Sequence, residues 1–173
     1  MPDRPLILTA QLPKDLHHWA TSLRTKHFPP ERNYLEAHVT LFHALPGSCE
    51  NEASDLCARL ASEYAPVDAQ LIGIMSLGRG TAIKLSSEAM LRLRANIADH
   101  FRGMLTQQDQ HAPRLHVTIQ NKVAPTEAKK LQAALEGTVQ PRSFAFRGLE
   151  LFRYLGGPWE PIRAFPFRGR EKA

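Results

Sequence analysis

One four-residue pattern occurs twice in the chain and limits its possible folds more than any other feature. Residues 38–41 read His-Val-Thr-Leu, and residues 116–119 read His-Val-Thr-Ile. Both lie in stretches where side chains alternate in character, which is typical of a β-strand. Because side chains of a strand repeat with a period of two, the histidine and the threonine of each copy point to the same face.

The alternation predicts strands over residues 36–45 and 114–123. A single His-x-Thr in a strand means little, since threonine is a common strand residue. Two copies in matching positions are far rarer by chance, so we interpret them as one functional set. The predicted faces of the two motifs also carry further residues, which are Phe42 in the first strand and Arg114, Gln120 and Lys122 in the second.

A constant offset relates the two halves of the chain. His38 and His116 are 78 positions apart (116 − 38), and the same offset carries Gly78 onto Gly156. Between these markers each half reads motif strand, helix, strand, glycine turn and strand, which indicates an internal duplication. Two like lobes packed about a pseudo-two-fold axis would place both motifs on opposite walls of one cleft.

The remaining pattern predicts short strands and amphipathic helices. The predicted strands are 6–11, 67–75, 81–85, 143–154 and 159–167, and the predicted helices are 14–26, 50–64, 87–105 and 125–135. In the third helix, we assign Arg92, Arg94, Arg102 and His100 to the solvated side. The basic tail 168–173 is predicted to be mobile.

Length and composition indicate a single bilobal domain over residues 1–173. The net charge of +5 favours anionic partners, but the positive residues are dispersed and form no long run. Cys49 and Cys57 fit no zinc-binding spacing and suggest a reducing compartment. With neither a signal peptide nor a membrane-spanning stretch in the pattern, we predict a cytoplasmic, soluble monomer without membrane contact.

The tandem motifs His38-Val39-Thr40-Leu41 and His116-Val117-Thr118-Ile119 resemble those of the two-histidine (2H) phosphoesterases, in the branch named for 2′-5′ RNA ligase. The resemblance implies an α+β fold of two pseudo-symmetric lobes, each a mainly antiparallel sheet with helices on its outer face, around a central cleft. It also implies cyclic phosphodiesterase or 2′-5′ phosphodiester chemistry on RNA 3′ ends or cyclic nucleotides, without a metal or cofactor.

By this resemblance His38 and His116 are catalytic, and Thr40 and Thr118 bind phosphate. Relatives often carry an arginine just beyond the second motif. Here the stretch reads Gln120-Asn121-Lys122, so Lys122 is our substitute for that phosphate-binding residue. Candidate substrate-binding residues near the motifs and turns are Phe42, Arg79, Arg114, Tyr154 and Trp159.

Elementary chemistry agrees with that expectation. Hydrolysis of a 2′,3′-cyclic phosphate needs a base to deprotonate water and an acid to protonate the departing ribose oxygen, and imidazole titrates in the range where it can do either. Threonine hydroxyls can donate to the phosphate oxygens. Two alternatives remain open at this point. One is an RNA-end-binding module without turnover, and the other is a histidine metal site to which Glu36 contributes.

Overall fold

The computed structural model describes residues 4–173, which form eight β-strands and four α-helices. The strands are β1 Leu6–Gln11, β2 Val39–Leu45, β3 Val67–Ser76, β4 Thr81–Ser86, β5 His116–Gln120, β6 Arg142–Phe146, β7 Gly148–Tyr154 and β8 Trp159–Pro166. The helices are α1 Lys14–His27, α2 Glu50–Glu63, α3 Glu88–His100 and α4 Pro125–Leu135. Among the described residues, no helix has the length and hydropathy needed to span a bilayer.

The strands form two four-stranded antiparallel sheets. The first sheet has the order β2-β1-β7-β8, and the second has the order β5-β4-β3-β6. Helix α2 packs against β7 and β8, whereas α4 packs against β3 and β4. The predicted α+β fold of two antiparallel lobes is therefore confirmed. Each sheet carries one motif strand at its edge.

The two halves of the chain exchange their hairpins. The β3–β4 hairpin follows the first motif in sequence but joins the sheet of the second motif strand, and β7–β8 joins the sheet of the first. The glycine turns of the two hairpins match, with Gly78 at φ 80° and Gly156 at φ 94°. Both are left-handed conformations that favour glycine. Each lobe therefore contains strands from both halves of the chain.

The predicted strand 143–154 is wrong, because it is two strands in different sheets. Strand β6 pairs with β3, and β7 pairs with β1. The chain crosses between the sheets at Arg147 without a turn sequence, which is why periodicity did not show the break. Gly148 then enters a tightly packed position, where an added Cβ would lie 2.5 Å from the carbonyl oxygen of Phe165.

The first motif strand contains a β-bulge directly after its threonine. Two consecutive residues of β1 pair with Thr40 and Phe42, so Leu41 is the extra residue. A bulge shifts the residues that follow it to the opposite face. Phe42 is therefore buried, with 0% of its surface exposed, and His43 takes the face that alternation assigned to Phe42.

The second motif strand carries the equivalent bulge. Two consecutive residues of β4 pair with Gln120 and Thr118, which leaves Ile119 as the extra residue, 78 positions after Leu41. Gln120 is consequently buried, and its side-chain oxygen accepts a hydrogen bond from the Thr81 hydroxyl at 3.0 Å. The regular alternation predicted through residue 123 is wrong beyond Thr118.

Two buried arginines hold the bulged strands from behind. Arg24 of α1 donates from Nη1 to the carbonyl oxygen of Thr118 at 2.8 Å, and Arg94 of α3 donates from Nε to that of Leu41 at 3.1 Å. Each guanidinium also lies over a phenylalanine ring, at 4.2 Å for Arg24 and 4.1 Å for Arg94. The assignment of Arg94 to the solvated side of α3 is wrong, because the side chain finds these partners in the core.

The tail is held against α2 over part of its length. The backbone amides of Arg168, Gly169 and Arg170 donate to carbonyl oxygens at the end of α2, and the carbonyl oxygen of Glu171 accepts from the amide of Ala65. The carbonyl oxygen of Ala173 also accepts from Nη2 of Arg92 at 2.9 Å. The mobility of 168–173 stays a prediction.

Replacing Arg94 should destabilise the protein far more than replacing its neighbour on the same helix. In Arg94→Ala, buried carbonyl oxygens lose their donor and a cavity opens beside Phe42, so we expect the free energy of unfolding to fall by about 2–4 kcal/mol. Arg92 is exposed, and its hydrogen bond to the carbonyl oxygen of Ala173 is open to solvent, so Arg92→Ala should cost under about 0.5 kcal/mol. Urea unfolding of both variants measures the difference, and equal losses would contradict the anchoring role.

Candidate functional site

The two motif strands face each other across one cleft between the sheets. His38, Thr40, His116 and Thr118 all line this cleft, whose volume is about 470 Å³. The topology produces this arrangement, since each sheet presents its edge motif strand to the same opening. The four motif residues are therefore brought together as their spacing predicted.

Both motif imidazoles are oriented by the same backbone contact. Nδ1 of His38 lies 2.8 Å from the carbonyl oxygen of Glu36, and Nδ1 of His116 lies 2.6 Å from that of Arg114. A carbonyl oxygen only accepts, so Nδ1 carries the hydrogen in each ring. The Nε2 atom of each neutral ring is then left as a proton acceptor. The two rings therefore have the same tautomer, and they lie 78 positions apart in the chain.

His38 is neutral in the free protein at neutral pH. Burial lowers its pKa to about 4, and the electrostatic effects of Arg24, His116 and His43 act in the same direction. The hydrogen bond to Glu36 opposes this shift. The indole of Trp159 covers the ring, with 4.5 Å between the ring centroids. His38 is therefore ready to accept a proton when a ligand arrives.

A third histidine enters the cleft because of the bulge in β2. The side chain of His43 is 42% exposed, and its Nδ1 lies 3.2 Å from a carboxylate oxygen of Asp109. Asp109 also accepts hydrogen bonds from the backbone amides of His43 and Ala44. This pair was missed because alternation placed His43 on the opposite face.

Asp109 itself looked like part of an exposed polar loop, yet its exposed fraction is only 1%. It lies in a short 3₁₀ helix, Gln108–Gln110, whose backbone oxygen at Asp109 accepts from Nη2 of Arg94 at 2.5 Å. Burial alone would raise the pKa of this carboxyl group, but the hydrogen bonds from His43 and Ala44 hold it below the ordinary value. No local sequence signal distinguishes this aspartate from a solvated one.

The other predicted substrate-binding residues divide into two groups. Arg114 and Trp159 line the cleft. Phe42 is fully buried beneath the Arg94 guanidinium, so its predicted contact with substrate is wrong. Arg79 and Tyr154 do not line the cleft; Nε of Arg79 donates to the carbonyl oxygen of Val123 at 3.1 Å.

Lys122, our predicted phosphate-binding cation, also lies away from the cleft. Strand β5 ends at Gln120, and Lys122 has a left-handed backbone with φ 59°. Its backbone amide donates to Oδ1 of Asn121. The prediction assumed a regular strand through residue 123. The bulge and the early end of β5 instead direct the following residues away from the cleft.

Glu36, the residue considered as a third metal ligand, is instead paired with His17. Its Oε1 atom lies 3.2 Å from Nε2 of His17. Among the described residues 4–173, no group of three or more His, Cys, Asp or Glu side chains converges as a metal site would require.

Two antiparallel sheets with a histidine-threonine pair on each edge strand, facing one cleft, define a 2H phosphoesterase. The chain belongs to the 2′-5′ RNA ligase superfamily, whose family model matches residues 12–158. No curated protein is detectably similar to the chain in sequence.

Solved structures share the fold over nearly the whole chain. The Thermus thermophilus protein TT0787 superposes with a TM-score of 0.65 at 21% identity, covering 95% of this chain and 98% of that one. Escherichia coli LigT complexed with 3′-AMP gives a TM-score of 0.57 at 18% identity, with 95% and 98% covered. LigT complexed with NADP⁺ gives 0.56 at 18% identity, with 96% and 99% covered. At these identities the comparison establishes the architecture.

Asp109→Asn should lower the free energy of unfolding at neutral pH and should make that free energy depend less on pH in the acid range. A carboxyl group whose pKa is lowered on folding stabilises the folded state above its ordinary value of 3.8, and this stabilisation is lost as pH falls through the lower folded value. We expect a loss of about 1–3 kcal/mol at neutral pH. The difference from wild type should narrow below pH 3.8.

Thermal or urea unfolding from neutral pH down to about pH 2.5 measures this effect. Asp55→Asn, at an exposed position of α2, is the matched control and should follow the wild-type curve. A constant difference between Asp109→Asn and wild type at every pH would show that the Asp109 charge does not carry the stabilisation.

Proposed function

We propose that this protein hydrolyses 2′,3′-cyclic phosphate ends of RNA or cyclic nucleotides by two-histidine acid and base catalysis, without a metal. The observation that carries the proposal is the matched pair of imidazoles. Each ring holds its Nδ1 proton on the carbonyl oxygen two residues earlier, and both rings line one cleft beside a threonine. Such a pair leaves two Nε2 atoms for proton transfer to and from one bound phosphate.

The proposed reaction is a displacement at phosphorus. A water molecule loses a proton to one imidazole as its oxygen bonds to phosphorus, and the bond from phosphorus to one ribose oxygen breaks. The other imidazole, as imidazolium, gives its proton to that departing oxygen. His38 suits the role of base because burial keeps it neutral in the free protein. His116 then supplies the proton, and the product is a phosphomonoester.

Negative charge on the phosphate oxygens needs donors in the cleft. We assign this role to the hydroxyls of Thr40 and Thr118, which lie two residues after the histidines on the same face. Arg114 lines the cleft and carries the positive charge that we first assigned to Lys122. His43 also lines the cleft, and Asp109 holds its ring through Nδ1. The nucleotides bound to LigT in its complexes with 3′-AMP and NADP⁺ support a nucleotide ligand for this cleft too.

Removing either motif histidine should reduce turnover by about 10²–10⁴, which is the usual contribution of one positioned acid or base. We expect this of both His38→Ala and His116→Ala, measured as kcat on 2′,3′-cyclic nucleotides and on RNA with a cyclic phosphate end. His18→Ala is the matched control, because His18 is exposed on α1. Thr40→Val and Thr118→Val should cost less, since each removes a neutral donor.

The same assay separates hydrolysis from binding alone. An RNA-end-binding module would leave the cyclic phosphate intact at every enzyme concentration. A correctly folded His38→Ala or His116→Ala protein with wild-type turnover would exclude the two-histidine mechanism.

The pH dependence of kcat/KM should be bell-shaped, with an unusually low acid limb. If His38 is the base, kcat/KM falls only as pH drops through its free-protein pKa of about 4. Bound phosphate favours imidazolium, so the acid limb of kcat should lie at higher pH than that of kcat/KM. Rate profiles from about pH 3.5 to 9.5 test both statements, with stability checked at each pH.

The residual activities of the two alanine variants then separate the roles of the histidines. His38→Ala should lose the acid limb and His116→Ala the alkaline limb, although the limbs of the wild type belong to the coupled pair. Loss of the same limb in both variants would rule out complementary acid and base roles.

A further inference from the structure

A second cavity adjoins the catalytic cleft on the side of the first sheet. It has a volume of about 300 Å³, and His38 and Trp159 line both this cavity and the cleft. The two cavities therefore meet at these two side chains, beside the position of a phosphate bound between the motif histidines. We call this cavity the side pocket; its polar and aromatic walls include Gln11, Glu36, Glu150 and Phe152.

The strand register fixes the distance between the motif and the side pocket. Thr9 of β1 pairs with Thr40 on one side and with Glu150 of β7 on the other. Directly paired residues of antiparallel strands point to the same face of a sheet. Two inter-strand spacings, or about 10 Å, thus separate Thr40 from Glu150 along one row. That is close to the span of a nucleoside from its phosphate to the far edge of its base.

The walls of the side pocket suit a flat aromatic ligand. The rings of Phe152 and Trp159 lie 5.4 Å apart between centroids, and Trp159 also contacts His38. Tyr34 lies at the mouth, 61% exposed, with its ring close to Gly157 in the β7–β8 turn. Aromatic side chains of this kind stack on nucleobases.

The polar side of the side pocket offers acceptors. Glu150 is half-buried, and within residues 4–173 its carboxylate makes no hydrogen bond to another side chain or to the backbone. Burial raises the pKa of Glu150; His17 opposes the rise and the charge of Glu36 adds to it. A carboxylate held in this way is stabilised by a ligand that brings N–H donors.

We propose that the side pocket binds the base of the nucleotide that bears the cyclic phosphate, and that Glu150 makes guanine the preferred base. This rests on the proposed function. Guanine presents the N1 and N2 hydrogens side by side, so one carboxylate accepts both. Adenine and cytosine present only an amino group. Uracil presents one N–H between two carbonyl oxygens. A carboxylate repels these two oxygens, because both groups are hydrogen-bond acceptors.

Kinetics on the four nucleoside 2′,3′-cyclic phosphates test the pocket. Wild type should favour the guanosine substrate over the uridine one in kcat/KM by about 10–100-fold, since a site built around charged acceptors rejects a ligand that leaves them unpaired. Glu150→Gln and Glu150→Ala should each reduce this ratio by about tenfold or more, mainly by slowing the guanosine substrate. Glu127→Gln, on the exposed side of α4, is the matched control and should keep the wild-type ratio.

Calorimetric binding of 3′-GMP and 3′-UMP tests the pocket without any turnover. Wild type should bind 3′-GMP more tightly, and both Glu150 variants should lose the difference. If no cyclic nucleotide is hydrolysed, the proposed function fails while the binding result still decides the pocket. If hydrolysis occurs but wild type shows no guanine preference, or a folded Glu150 variant keeps it, the pocket assignment is overturned and the proposed function stands.

Discussion

The site depends on two buried arginines that anchor the motif strands of opposite lobes. Arg24 leaves the helix that precedes the first motif and holds the carbonyl of Thr118 in the second, while Arg94 leaves the helix before the second motif and holds Leu41 in the first. A bulge interrupts the regular hydrogen-bond ladder, so its carbonyl groups need other partners. The guanidinium groups supply them, although burial lowers the pKa of Arg24 to about 10. Arg24 therefore stays charged at neutral pH.

This anchoring explains how the positions of the motif residues are maintained at the edges of the two sheets. Edge strands are free on one side, and the histidine-threonine motifs of both sheets lie at these edges. The crossed arginines tie each edge strand to a helix from the other half of the chain. The exchanged hairpins also connect the two lobes, because neither lobe is complete without strands from both halves of the chain. The two imidazoles therefore cannot separate without breaking buried contacts on both sides of the cleft.

The sequence alone was sufficient to predict the features that depend on local periodicity and on the 78-residue offset. Most helix bounds, the β3–β4 hairpin, the glycine turns and the gathering of His38 and His116 all follow from such signals. Features decided by tertiary contact were out of reach. A bulge adds one residue without changing composition, so Phe42 and His43 exchanged faces. Arg94 and Asp109 are charged residues in ordinary polar surroundings, and only their partners across the fold explain their burial.

In the proposed function the two matching motifs bind phosphate, whereas a nucleotide is asymmetric and must be recognised by residues that differ between the two lobes. The 78-residue offset pairs Glu36 with Arg114, the two residues whose carbonyl groups orient the rings of His38 and His116. Glu36 contributes a negative side chain to the side pocket, and Arg114 contributes a positive side chain to the cleft. The same offset relates Glu150 to Ile72, which is exposed. The acidic side chains Glu36 and Glu150 therefore lie on the side of the first sheet, and the added positive charge of Arg114 lies on the side of the second. A ligand with an anionic end and a hydrogen-bond-donating end can satisfy both in one orientation, which would make the two histidines chemically distinct despite their matching sequence motifs.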